Sequence, residues 1–248
     1  MANSITTLKK YIDLIDDVYK ENAKTAILDG DNSLVQAGSN AHEIVIPKIS
    51  MDGLGDYSRN GGYVDGDVTV SNETVEFNYD RGRAFTVDAM DNEETAGVAF
   101  GRLAGEFIRV KVVPELDAFR FAKYAGISGI SKVAAGATLS TGADVIAALR
   151  AGTTKMDEDE VPAEDRHLFL TPTLYGFVQD MDTTKSREVM SRFADITLVP
   201  QSRFYTAITL YDGKTDTSSQ DSGVNQKPGG FVKASAAKDI NFMIIHKP

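Results

Sequence analysis

Apolar residues recur at spacings of three and four in "ITTLKKYIDLIDDVYKEN", at Ile5, Leu8, Ile12, Ile15 and Val18. That is one face of a helix, with lysines and aspartates opposite. In "LDGDNSLVQAG" Gly and Asp end the periodicity. "AHEIVIPKI" then predicts a strand, and Pro47 favours an edge position because proline cannot donate to a ladder.

The pattern changes between residues 50 and 84. "SMDGLGDYSRNGGYVDGD" is rich in Gly and Asp, and "VTVSNETVEFNYDRGRAFTV" alternates in strand fashion. "RNGG", opening at Arg59, marks a hairpin turn, since Asn-Gly tolerates the positive φ that such turns need. Two limbs of roughly 15 residues at about 3.3 Å each give a hairpin on the order of 50 Å long. Few of its residues are apolar enough to bury against their own chain. Such a hairpin is either floppy or held by a neighbour.

Helical periodicity returns in "VDAMDNEETAGVAFGRLAGEFIRVKVVPELDAFRFAKYAG". Asp91 and Glu94 have capping-box spacing. Phe100, Leu103, Phe107 and Val110 predict the buried stripe, which Leu116, Phe119 and Ala122 continue, and Gly126 predicts the stop. One helix over residues 92–125 would be about 50 Å long, against a diameter of about 46 Å for a compact globule of this size. Pro114 interrupts it. An interior proline removes a backbone hydrogen bond and clashes with the preceding turn, so it kinks the helix or starts a second one.

The second half predicts an α+β unit. "STGADVIAALRAG" is a capped helix with Val145, Ile146 and Leu149 inward, "RHLFLTP" a strand ended by Pro172, and "TLYGFVQDM" a short helix. "ADITLVP", "SRFYTAITLY" and "KDINFMIIHKP" predict strands, with a polar loop over residues 212–230. No internal repeat is present.

Composition narrows the function classes. The 248 residues suffice for one large domain or two small ones. No run of eighteen apolar residues offers a membrane span, and the N-terminus lacks a signal-peptide pattern, so cytoplasmic synthesis is expected. No cysteine means no disulfide framework and no thiolate metal site. The net charge is −10, from 26 basic against 36 acidic residues, without the basic block of a DNA reader. The densest charge run, "KMDEDEVPAED", predicts a solvated loop.

The sequence names no catalytic, cofactor-binding or metal-ligating residue. His42, His167 and His246 are far apart and expected to be satisfied or at the surface. There is no HExxH, P-loop or GxSxG. "DGDNS" lacks the glycine and glutamate of an EF-hand loop. Asp88 and Asp91 fit the start of a helix better than a carboxylate pair.

Five motifs in order, "NYDRGRAFTVDAMD", "VVPELDAFRF", "DEVPAEDRHLFLTPTLY", "VPQSRFYT" and "AKDINFMIIHKP", resemble tailed-bacteriophage major capsid proteins of the Hong Kong ninety-seven type. The similarity is greatest to phages of Gram-positive bacteria and covers nearly the whole chain. It implies an α+β capsid fold: an N-terminal arm and first peripheral strand over 1–49, and an extended loop over 50–84. A peripheral domain with a long spine helix would follow over 85–134, an axial domain over 135–226 and a return to the peripheral domain over 227–248. It implies a non-enzymatic structural subunit that self-assembles into pentamers and hexamers and encloses double-stranded DNA in a virion. Implied partners are other copies of the chain, a separate scaffolding protein, a portal and weakly held DNA, with no membrane and no cofactor.

The loop would lie over a neighbouring subunit, with Tyr57, Arg59, Tyr63, Arg81 and Arg83 as candidate contacts. Pro114 would mark a spine kink that follows shell curvature. Residues 51–84 contain no lysine, so no isopeptide weld is expected from this loop. Chains of the family are expected to run past "IIHKP", which would make this a truncated form. An encapsulin-type shell around cargo enzymes shares the fold, and an α+β small-molecule enzyme or binding module is a rival from another class.

Overall fold

A computed structural model describes residues 23–30, 36–37, 43–85, 98–132, 137–214 and 229–247. The expected first helix, the capping box at Asp91 and Glu94, His42, Asp88 and most of the polar loop lie outside the described residues. The chain forms two compact units, residues 30–86 and residues 1–29 with 87–248.

The smaller unit is a three-stranded antiparallel sheet of β1 (Gln36–Ala37), β2 (Glu43–Met51) and β3 (Val68–Glu76), in that order. β2 and β3 pair over nine residues each, from Glu43↔Glu76 to Met51↔Val68. The expected strand and the expected loop are therefore limbs of one hairpin, shorter than the 15-residue limbs anticipated. Pro47 lies opposite Asn72, two residues beyond the last described β1 pair, Gln36↔Val45.

The larger unit is built around β4 (Arg166–Leu170), whose five residues are all buried. It pairs in parallel with β5 (Asp195–Leu198) and antiparallel with β8 (Phe242–His246). Burial on both sheet faces explains a strand that is apolar without alternation. On one face Leu168 and Leu170 pack with Val145, Ile146, Leu149, Leu174 and Val178. These come from α3 (Gly142–Glu158) and α4 (Pro172–Met181), while α5 (Thr184–Met190) adds Val189. On the other face Phe169 meets Phe121, Val199, Phe204 and Ile240. The sheet thus sits between two apolar layers.

Expected elements recur with physical differences. α3 starts at a reciprocal cap between Thr141 and Asp144 and carries Val145, Ile146 and Leu149 inward, as expected. At its start the packing is close, since a Cβ on Gly142 would lie 2.3 Å from the Phe177 carbonyl oxygen. α5 was not anticipated, because only a short stretch of apolar residues marks it; a cap at Thr183 begins it. The strand expected over "SRFYTAITLY" is confined to β6 (Ile208–Asp212), and it pairs with an unanticipated β7 (Gly229–Lys233). α3 also runs on into the acidic stretch that the sequence placed in a loop.

That stretch is clamped rather than simply solvated. Arg166, 2% exposed, donates from Nε to the Pro162 carbonyl at 2.8 Å and from Nη1 to Asp157 at 2.6 Å. A third donor reaches the Val161 carbonyl, and Arg192 bonds the other Asp157 oxygen at 3.1 Å. The Arg166 hydrogen bond above all holds the Asp157 carboxyl below its ordinary value of 3.8. The Asp157 contribution is therefore present above about pH 4 and lost as pH falls through the lowered value. Arg166→Met, which keeps a buried stem but removes every donor, is expected to cost about 2–4 kcal/mol. It should also flatten the acid arm of a stability–pH curve. Urea titrations at pH 3 and pH 7 measure both; an unchanged midpoint at pH 7 would show that the clamp does not hold the turn.

Candidate assembly interface

The tip of the hairpin is closed by backbone bonds and by one serine hydroxyl. Ser58 and Gly62 exchange hydrogen bonds of 3.2 and 2.8 Å, and the Ser58 hydroxyl accepts from the Gly61 amide at 2.8 Å. Gly62 holds φ at +76°, so the positive φ expected of the Asn-Gly pair falls two residues after Asn60. That positive φ favours glycine at position 62, while a Cβ on Gly61 would sit 2.5 Å from the Ser58 hydroxyl and displace it from its bond to the turn. Below the turn, Asp52 and Asp67 extend the pairing through a backbone bond and a carboxylate–amide bond. Arg59 is exposed in the turn. Tyr57 and Tyr63 flank it with ring centroids 4.9 Å apart, and they are 62% and 86% exposed.

The hairpin's two faces differ. Residues opposite one another in an antiparallel ladder share a face. One face carries Val45, Pro47, Ile49 and Met51 with Val68 and Val70. The other carries Ile44, Ile46 and Val75 at its base and turns polar toward the tip, with Lys48, Ser50, Thr69, Ser71 and Glu73 and an ion pair between Lys48 and Glu73. Ile49, Met51, Val68 and Val70 are 65–70% exposed, and Leu54 at the tip is fully so. Burying each of those four would contribute on the order of 1–2 kcal/mol. The sequence was read as having few apolar residues here. It has enough for a stripe, signalled by period two from Val45 to Met51.

Arg81 and Arg83 follow β3 and are exposed, and Arg83 makes no ion pair with a described residue. They are not part of the ladder that carries the stripe.

The segment expected as one long helix is three consecutive pieces: α1 (Val98–Phe107), a π turn (Ile108–Val112) and α2 (Val113–Gly126). Pro114 stands in the first two positions of α2, where a missing N–H is tolerated. The link is neither a plain kink nor an unwound "VKVV", because the Val113 amide still bonds the Ile108 carbonyl. The buried face also differs from the expected stripe. It runs through Ile108, Val113, Asp117, Ala118 and Phe121, while Val110 is 49% exposed.

Asp117 is fully buried and was missed by the sequence. Its carboxylate accepts from the Lys24 amide at 3.1 Å, the Thr25 amide at 3.1 Å and the Thr25 hydroxyl at 2.7 Å. Arg203 approaches it at 3.3 Å. One turn on, Arg120 pairs with Asp29 at 2.8 Å and bonds the Thr25 hydroxyl. Residues 23–29 are thereby strapped to α2, with Lys247 donating to the Ile27 carbonyl at 3.0 Å. Burial pushes the nearby Tyr124 hydroxyl above its ordinary value, with Arg120 opposing and Asp29 adding.

His167 is 8% exposed, and its Nδ1 has no hydrogen-bond partner among the described residues. His246 lies on β8, half-buried. Among the described residues no three His, Cys, Asp or Glu side chains converge on a metal-binding position, and no helix is long and apolar enough to cross a membrane.

No family profile and no curated protein matches the chain. Among solved structures, it is similar to a chain described as the capsid structure of the cyanophage P-SCSP1u, with a TM-score of 0.42 and 17% identity. The similarity covers 68% of this chain and 61% of that one, so this chain spans less than two thirds of the length of the capsid chain it matches.

Proposed function

We propose that the chain is the structural subunit of a tailed-phage capsid of the Hong Kong ninety-seven type. The observation that carries this is the hairpin unit. Ile49, Met51, Val68 and Val70 line one face of a narrow antiparallel sheet, each about two thirds exposed. A sheet of this size with a bare apolar face is marginal alone in water, and contiguous exposed apolar surface marks a partner. A neighbouring copy supplies that partner in a shell. Residues 50–84 then act as the extended loop over the next subunit, anchored by Tyr57 and Tyr63 at the tip. Arg59, Arg81 and Arg83 would meet carboxylates of that subunit. Copies close into pentamers and hexamers around double-stranded DNA, with a separate scaffolding protein and a portal. The acid surplus keeps DNA contacts sparse, and the product is a virion.

The test separates folding from association. Ile49→Asp with Val70→Lys places opposite charges on two paired, exposed positions, so the larger unit should melt as before. Closed shells in electron micrographs of the wild-type protein should be lost in this variant. Hydrogen exchange should show the β2–β3 amides weakly protected in dispersed subunits and strongly protected in shells. Strong protection in the monomer, or normal shells from the variant, would sink the proposal.

A further inference from the structure

An open cleft of about 570 Å³ lies between residues 131–132 and the outer side of α3. Its floor is Ala147 and Ala151; Ser131, Lys132, Arg150 and Thr154 line it, with Glu158 and Lys155, the latter already paired with Glu158 and Asp159. Six arginines of this unit pair with carboxylates: Arg109, Arg120, Arg166, Arg187, Arg192 and Arg203. Arg150 has no ion-pair partner among the described residues, and neither has Lys132. In a chain with ten more acidic than basic residues, two neighbouring cations left unpaired in a concave site fit an external oxyanion.

The complementary group is the turn that follows the same helix, next to the Lys155 and Glu158 end of the cleft. Past Glu158 the turn exposes Glu160, Glu164 and Asp165, none with an ion-pair partner among the described residues. The Arg166 bonds to the Val161 and Pro162 carbonyls hold the backbone of that turn, which lowers the ordering cost of binding.

We infer that the cleft at Lys132 and Arg150 receives the Glu160–Glu164 turn of a second copy of this chain. The inference deepens the shell proposal and rests on it. A donor and an acceptor at different places on one unit make a heterologous, head-to-tail contact, which closes into a ring when the rotation allows. Duplex DNA fits less well: two unpaired cations on an alanine floor neutralise few phosphates. Exposed Ile127 and Ile130 nearby, at 53% and 42%, favour a protein surface.

Charge exchange tests it, with sedimentation velocity over a concentration series as the readout. Lys132→Glu with Arg150→Glu should weaken association about tenfold or more, and Glu160→Lys with Glu164→Lys should do the same. All four substitutions in one chain should recover most of the loss, since every contact is complementary again. Each position is exposed, so unchanged melting curves will confirm that folding is intact. Wild-type association by either pair variant overturns the inference, as does failure of the fourfold variant to recover. So does loss of binding to a short DNA duplex with association unchanged, which would assign the cleft to nucleic acid. A wild-type protein that stays monomeric at every concentration overturns the shell proposal itself; indifferent variants of an associating protein overturn only the cleft contact.

Discussion

Asp117→Ala is expected to cost the folded protein about 3–5 kcal/mol, because it breaks a buried charge pair and orphans several donors together. The carboxylate is fully buried and accepts from two backbone amides and one hydroxyl of the strap, with Arg203 beside it. A methyl group satisfies none of them. Thr25, itself fully buried, then has no water to turn to at once. At a few degrees per kcal/mol for a protein of this size, the melting temperature should fall by roughly 10 °C. Asp117→Asn is the control. It keeps an acceptor for the strap but loses the charge facing Arg203, and about half the penalty should remain. Hydrogen exchange locates the damage: amides of residues 24–29 should lose protection before those of β4. A cost below about 1 kcal/mol with those amides still protected would mean that Ile27 and Leu28, packed on the Phe121 layer, hold the strap by themselves.

Asp117 also shows what the sequence could not disclose. Its bonded partners Lys24, Thr25 and Arg203 stand 86–93 positions away, and a charged residue between apolar ones reads as solvent-facing. Arg166 and Asp157 were hidden in the same way, inside a stretch whose composition is that of a solvated loop. Patterns that act locally were legible. The Thr141 cap, the inner face of α3, the apolar run of β4 and the hairpin all follow from spacing of a few residues. α5 was not, since seven residues give too little periodicity, and β7 was lost against a glycine-rich loop. The long helix departed from expectation for another reason. The π turn inserts a phase shift, so a stripe counted at three and four from Phe107 puts Val110 inside and leaves Phe121 out. The candidate contact residues at the tip were chosen by residue type alone, whereas the exposed apolar face of β2 and β3 needed the register.

Pro114→Ala is expected to leave subunit stability within about 1 kcal/mol while changing what the subunits build. Proline costs a helix interior about 3 kcal/mol, but the first turn tolerates it, and Pro114 stands there. Little stability is therefore waiting to be regained. The geometry is a different matter. Ile108 and Val113 are 6% and 0% exposed although five residues apart, a spacing that an α-helix would turn about 140° off one face. The π turn brings them together, with the Val113 amide bonded to the Ile108 carbonyl. Proline protects that arrangement, because its ring clashes with the carbonyl four residues back and it has no N–H to offer. Alanine removes the clash and supplies the donor, so the α register can run on. α1 would then rotate by about 100° against α2, one residue's worth of helix. In a shell, where the angle between subunits decides closure, that change should give fewer closed particles or particles of another size. Thermal melting beside electron micrographs measures both sides. A variant that melts several degrees lower yet closes normal shells would show that Pro114 serves local packing alone. One that melts as before and closes normally would show that the Ile108–Val113 seam sets the π turn without it.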